Sequence, residues 1–92
     1  MTEPTRHTRR TVNIDERRID DNTVVLDGEG AAYFALNETG TVLWELLATG
    51  ATSDELATAL VAAFDVAPER ARDDVATFLT LLRDHSLLED GT

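Results

Sequence analysis

Residues 23–37, TVVLDGEGAAYFALN, decide the fold. Thr23-Val24-Val25-Leu26 is a compact, mostly β-branched run, and Asp27-Gly28-Glu29-Gly30 behind it is a cluster of turn formers, so the run reads as a strand ending in a turn. Ala31-Ala32-Tyr33-Phe34-Ala35-Leu36 follows at once and closes a hairpin. Ala32, Phe34 and Leu36 fall on one face of it, and Ala31, Tyr33 and Ala35 on the other. At Asn37 the period changes from two to helical. Its side chain is suited to cap a helix carrying Val42, Leu43, Trp44, Leu46 and Leu47.

Toward the C-terminus, Gly50 ends this first helix, and Thr52-Ser53-Asp54-Glu55 has the spacing of a capping box that opens a second, bearing Leu56, Leu60, Val61 and Phe64. Asp65-Val66-Ala67 breaks the pattern. Pro68 fits the first position of a third helix, where its missing N–H costs nothing, and that helix runs to about His85, with Leu87-Leu88 docking the tail. Toward the N-terminus, Asp20-Asp21-Asn22 is a turn, and Val12, Ile14 and Ile19 among charges make a weak edge strand. Met1–Thr8 show no periodicity, so the first ten residues are expected as a disordered arm and residues 11–92 as the folded domain. The expected fold class is α+β and winged-helix-like, a three-stranded antiparallel sheet followed by a three-helix bundle.

The chain of 92 residues is long enough for one core and too short for two. It has no cysteine, which removes disulfides, thiolate metal sites and a cysteine nucleophile. The formal charge is −10, with no lysine. Arg6, Arg9, Arg10, Arg17 and Arg18 lie near the N-terminus, and from Thr23 onward only Arg70, Arg72 and Arg83 offset the acids. Such a body repels phosphate backbones, so nucleic acid is not the expected partner. No apolar run approaches the roughly 18–20 residues of a membrane span, and Met1–Arg10 lacks the apolar stretch of a signal peptide, so a cytoplasmic protein without membrane contact is expected.

The third helix has more apolar residues than one core stripe needs. Ala71, Val75, Phe78 and Leu82 form the natural stripe, with Leu79 to one side and Leu81 to the other. On Leu79's side lies the row Arg72, Ala76, Leu79, Arg83. Two readings stand for it: Leu79 packs under the strands while the arginines pair with neighbouring acids, or the row is a peptide-facing flank. The strand Ala31–Leu36 would lie at the sheet edge in a meander. It has no charge and no proline, and such an edge is either covered by the chain's own N-terminal segment or open to another strand. An open edge also admits pairing with a second copy.

Catalytic readings fare badly. Ser86 follows His85 directly, and adjacent residues do not present a hydroxyl to an imidazole. His7, His85 and Asp73-Asp74 have no metal-ligand spacing, and Glu29 between two glycines lacks the helix and lysine of a phosphate loop. No enzyme, metal or cofactor is expected.

Val24-Val25-Leu26-Asp27-Gly28, Tyr33-Phe34-Ala35-Leu36-Asn37, Gly40 and Trp44-Glu45-Leu46-Leu47 resemble the hairpin and first helix of the PqqD-like family of recognition elements for ribosomally made, modified peptides. Thr52–Leu60 and Val66-Ala67-Pro68-Glu69, Val75, Phe78-Leu79 and Leu82 resemble its second and third helices, so the likeness covers about Val12 to Leu88. The sequence resembles particularly the free-standing members found beside lasso-peptide maturation enzymes. Ser86 stands where the family often has glycine.

The resemblance implies a leader peptide added as a strand on Ala31, Ala32, Tyr33, Phe34, Ala35 and Leu36 and lying against Val75, Phe78, Leu79 and Leu82. It also implies two partners, a separate cysteine leader peptidase and an ATP-using macrocyclase. Arg72 and Arg83, with Ala76 between them on Leu79's row, are expected to read acidic leader residues. The alternatives are an adaptor for a different enzyme, such as a radical SAM enzyme, and more remotely a winged-helix DNA-binding regulator. The acids Glu69, Asp73, Asp74 and Asp84 on the third helix speak against the latter.

Overall fold

The hairpin forms where the β-branched run predicts it. In a computed structural model, which describes residues 5–30 and 32–89, strand β2 (Ile14–Ile19), β3 (Asn22–Asp27) and β4 (Ala32–Leu36) make an antiparallel sheet in the order β2-β3-β4. Register pairs Thr23 with Leu36, Val25 with Phe34 and Asp27 with Ala32 on the inner face. Leu26 with Tyr33 and Val24 with Ala35 share the outer one. Helix α1 (Glu38–Leu47) packs on the inner face, and α2 (Ser53–Phe64) packs on α1 and on α3 (Pro68–Asp84).

Local chemistry sets each helix start. The Asn37 side chain accepts from the Gly40 N–H at 2.9 Å. Thr52 and Glu55 make both halves of the capping box, at 3.1 and 2.8 Å. Pro68 opens α3. The core beneath is Val25 and Leu36 from the sheet, Leu43, Trp44 and Leu47 from α1, Leu56 and Leu60 from α2, Ala71, Val75, Leu79 and Leu82 from α3, and Leu87. Trp44 is almost fully buried, so its indole N–H needs an acceptor, which Glu16 on β2 supplies at 2.5 Å. Buried Thr23 and Thr41 satisfy each other across 2.9 Å and tie β3 to α1.

The N-terminal segment departs from expectation. Residues 6–10 are not a disordered arm, and Met1–Pro4 lie outside the described residues. Arg6–His7 form strand β1, paired antiparallel with β5 (Ala51–Thr52). The Arg9 N–H donates to the Leu47 carbonyl at 3.0 Å, and Arg9 bridges Leu88. The Arg9 guanidinium lies 4.6 Å from the centre of the Trp44 ring and 3.4 Å from Glu16. Arg10 pairs with buried Asp27 and donates to the Ser86 carbonyl at 2.9 Å. The segment is a strap joining α1, the sheet and the end of α3. Main-chain pairing and arginine side chains together hold it, without any apolar period.

Candidate functional site

The strap does not pair with β4. Among the described residues β4 pairs only with β3, so its outer edge is open. The opposite edge, β2, reads Ile14-Asp15-Glu16-Arg17-Arg18-Ile19, and such charges discourage another strand. The two edges therefore differ in chemistry. β4 presents Ala32, Tyr33 and Ala35 exposed, with no charge along its length.

Beside this edge runs a cleft of about 450 Å³. Ala35 and Leu36 form its strand side, Gly40 and Leu43 its floor, and Phe78 and Leu81 the helix side, with Arg70 and Asp74 at the rim. A Cβ at Gly40 would meet Leu36 Cβ and Phe78 Cε1 at 3.3 Å each, so glycine lets α1 sit close under the cleft. At the far end the Phe34 ring packs on His85, centroids 4.7 Å apart. Phe34 thus lies near the C-terminus of α3 and Leu36 near its middle, so strand and helix run alongside each other.

The flank of α3 that meets the strand is Leu81's, opposite to the one the sequence favoured. Taken at 100° per residue, Arg70, Asp74, Thr77, Phe78 and Leu81 lie on one side of the buried stripe, and Arg72, Ala76 and Arg83 on the other. Leu79 is 5% exposed and belongs to the core with Val75 and Leu82. Phe78, expected in the core stripe, is half-buried and lines the cleft. Arg72 borders a separate hollow between α2 and α3, beside Asp54, Val61 and Pro68. Arg83 is exposed and has an interaction partner. Tyr33, 72% exposed, points from the outer face of the sheet. Ala31 lies outside the described residues.

Of the residues singled out in the sequence the cleft brings together Ala35, Leu36 and Phe78, and it adds Arg70, Asp74, Thr77 and Leu81, which were not among them. The missed row was visible as i, i+4, i+7, i+11 spacing, but nothing in it said which flank faces α2. Packing of α2 against Leu79's side decides that.

Among the described residues no group of three or more His, Asp or Glu side chains could hold a metal ion, and no helix is long and apolar enough to cross a membrane. What the geometry offers is an open strand edge with an apolar slot beside it. An extended peptide could take main-chain hydrogen bonds from the first and bury side chains in the second.

Solved structures share this architecture. One, TbiB1 in complex with the TbiA(beta) leader peptide, is 30% identical over 89% of this chain and 94% of that one, with a TM-score of 0.78. Another, a lasso peptide synthetase B1 complexed with the leader peptide, is 25% identical over 90% and 96%, with a TM-score of 0.77. No curated protein matches the chain. The sequence profile of the family described as coenzyme PQQ synthesis protein D matches residues 22–88, from the start of β3 to the tail beyond α3. With that match spanning most of the chain and every element that builds the cleft, the chain belongs to the PqqD family.

Proposed function

We propose that the chain is a non-catalytic adaptor that binds the leader of a ribosomally made precursor peptide, in a lasso-peptide pathway. It holds the leader for a separate cysteine peptidase and an ATP-using macrocyclase, in the cytoplasm where such precursors are made. One observation carries the reading: the uncharged open edge of β4 lies beside an apolar cleft, in a fold whose two structural matches were each solved with a leader peptide bound. The leader docks as a fourth strand on β4 and sinks apolar side chains against Phe78 and Leu81.

An adaptor for another modification enzyme, such as a radical SAM enzyme, is the second reading, favoured by the PQQ-synthesis description of the family. The identity to a lasso peptide synthetase over nearly the whole chain supports the first.

The test is fluorescence polarisation with a labelled synthetic leader from the precursor encoded beside this chain. Leu81 is 41% exposed, so Leu81→Asp leaves the fold intact by circular dichroism and weakens binding at least about tenfold. Leu79→Ala, in the core, instead lowers stability by about 2–4 kcal/mol and leaves the affinity of the folded fraction near wild type. A folded wild-type chain that binds no leader would sink the proposal.

A further inference from the structure

The cleft is apolar along its floor, but its rim carries one ion pair. Arg70 Nε lies 3.6 Å from Asp74 Oδ1, one turn on along α3. The Arg70 side chain is 73% exposed and that of Asp74 40%, so the guanidinium is the more accessible of the two charges at the rim. The terminal nitrogens of Arg70 have no partner among the described residues. Arg6 is paired with Glu55, Arg9 with Glu16, Arg10 with Asp27 and Arg18 with Glu45, while Arg17 lies on β2 and Arg72 borders the hollow between α2 and α3. Arg70 is the one cation among the residues lining the cleft.

The chain's charge of −10 gives this cation its meaning. An acidic side chain on a guest peptide is repelled over most of this surface and attracted where a free guanidinium edge can accept it as a forked pair. Resting on the leader reading above, we infer that Arg70 is a specificity-determining residue that selects a leader carrying Asp or Glu at one fixed position. Helix rise sets that position. Arg70 and Leu81 are eleven residues apart on α3, about 16 Å at 1.5 Å per residue. An extended peptide covers that distance in about five residues. The selected leader therefore has a carboxylate about five positions from the apolar side chain that packs on Leu81.

The experiment measures leader affinity by fluorescence polarisation for the full chain, Arg70→Glu, Arg72→Glu and Leu81→Asp, at low and high salt. The probe is the leader of the precursor encoded beside this chain, as wild type and with each Asp or Glu replaced singly by Lys. The inference expects Arg70→Glu to weaken binding about five- to tenfold at low salt and less at high salt. One Lys-substituted leader, and only one, recovers binding to Arg70→Glu. Arg72→Glu, on the opposite flank, changes nothing. Unchanged affinity in Arg70→Glu while Leu81→Asp still abolishes binding overturns the inference and leaves the leader reading standing, as does tight binding of a leader with no acid at that spacing. A wild-type chain that binds no leader overturns both.

Discussion

The end of α3 rests on a residue in a conformation it does not favour. Ser86 has φ 58°, in the left-handed region. Its N–H donates to the Arg83 carbonyl at 3.1 Å and the Leu87 N–H to the Leu82 carbonyl at 2.7 Å, the pattern of a Schellman cap. Leu87 is then delivered into the core, 1% exposed. Glycine is the usual residue at this point and carries no Cβ penalty, so Ser86→Gly should stabilise the chain by about 0.5–1 kcal/mol, read as a higher urea midpoint at unchanged slope. A lower midpoint would mean that the Ser86 side chain contributes more than its backbone costs. Asp27 is a second residue under tension. Its burial raises the carboxyl pKa, but the N–H groups of Gly30 and Glu29 and the Arg10 guanidinium outweigh that and hold it below the ordinary 3.8. A lowered carboxylate pKa contributes stability that is full above the ordinary value and disappears as pH falls through the folded one. Melting temperature followed from pH 6 downward, to about pH 2, should therefore fall more steeply for wild type than for Asp27→Asn. Parallel curves would show that Arg10 and Asp27 contribute nothing through charge.

Elements were legible where a local rule sets them. The Asn37 cap, the Thr52–Glu55 box and Pro68 each fix a helix start with a residue that does one chemical job, and all three helices begin where those residues stand. The strap was not legible, because β1 pairs with a strand more than forty residues away and short segments held by arginines have no period to read. The flank of α3 was illegible for a related reason: an amphipathic pattern gives the buried stripe but not which neighbour lies on either side of it, so Leu79 and Leu81 exchanged roles. The strap predicts its own test. Deleting residues 1–10 removes the cation over Trp44, the donor to the Leu47 carbonyl and the partner of Asp27. The truncated chain should lose about 2–4 kcal/mol of stability by urea titration, and its single tryptophan should emit further to the red as water reaches the ring. Unchanged emission and midpoint would restore the reading of this segment as an arm without structure.

At the scale of the molecule the fold is a slab, 36 × 35 × 19 Å, in which the three-stranded sheet packs on helices and β1 pairs with β5 to one side. A three-stranded sheet has two edges, and here their chemistry is divided. Glu16 and Arg18 on β2 pair with Trp44 and Glu45 on α1, so that edge is charged and its side chains are already engaged by their own fold. No side chain described on β4 makes a hydrogen bond or ion pair, and the cleft of Phe78 and Leu81 lies on its side. On the proposed reading a leader arriving as a strand adds to β4. Amide hydrogen exchange distinguishes the two edges directly. In the free chain some N–H groups of Ala32–Leu36 point away from β3 and are expected to exchange fast. Leader binding should slow exchange in Ala32–Leu36 and in the stretch of α3 from Arg70 to Leu81, and leave Ile14–Ile19 unchanged. Protection that appears instead along β2 would place the guest on the charged edge. Slowing in β4 that grows with protein concentration without leader, and is relieved when leader is added, would mean that two copies pair through the same edge and that the leader must displace one of them to bind.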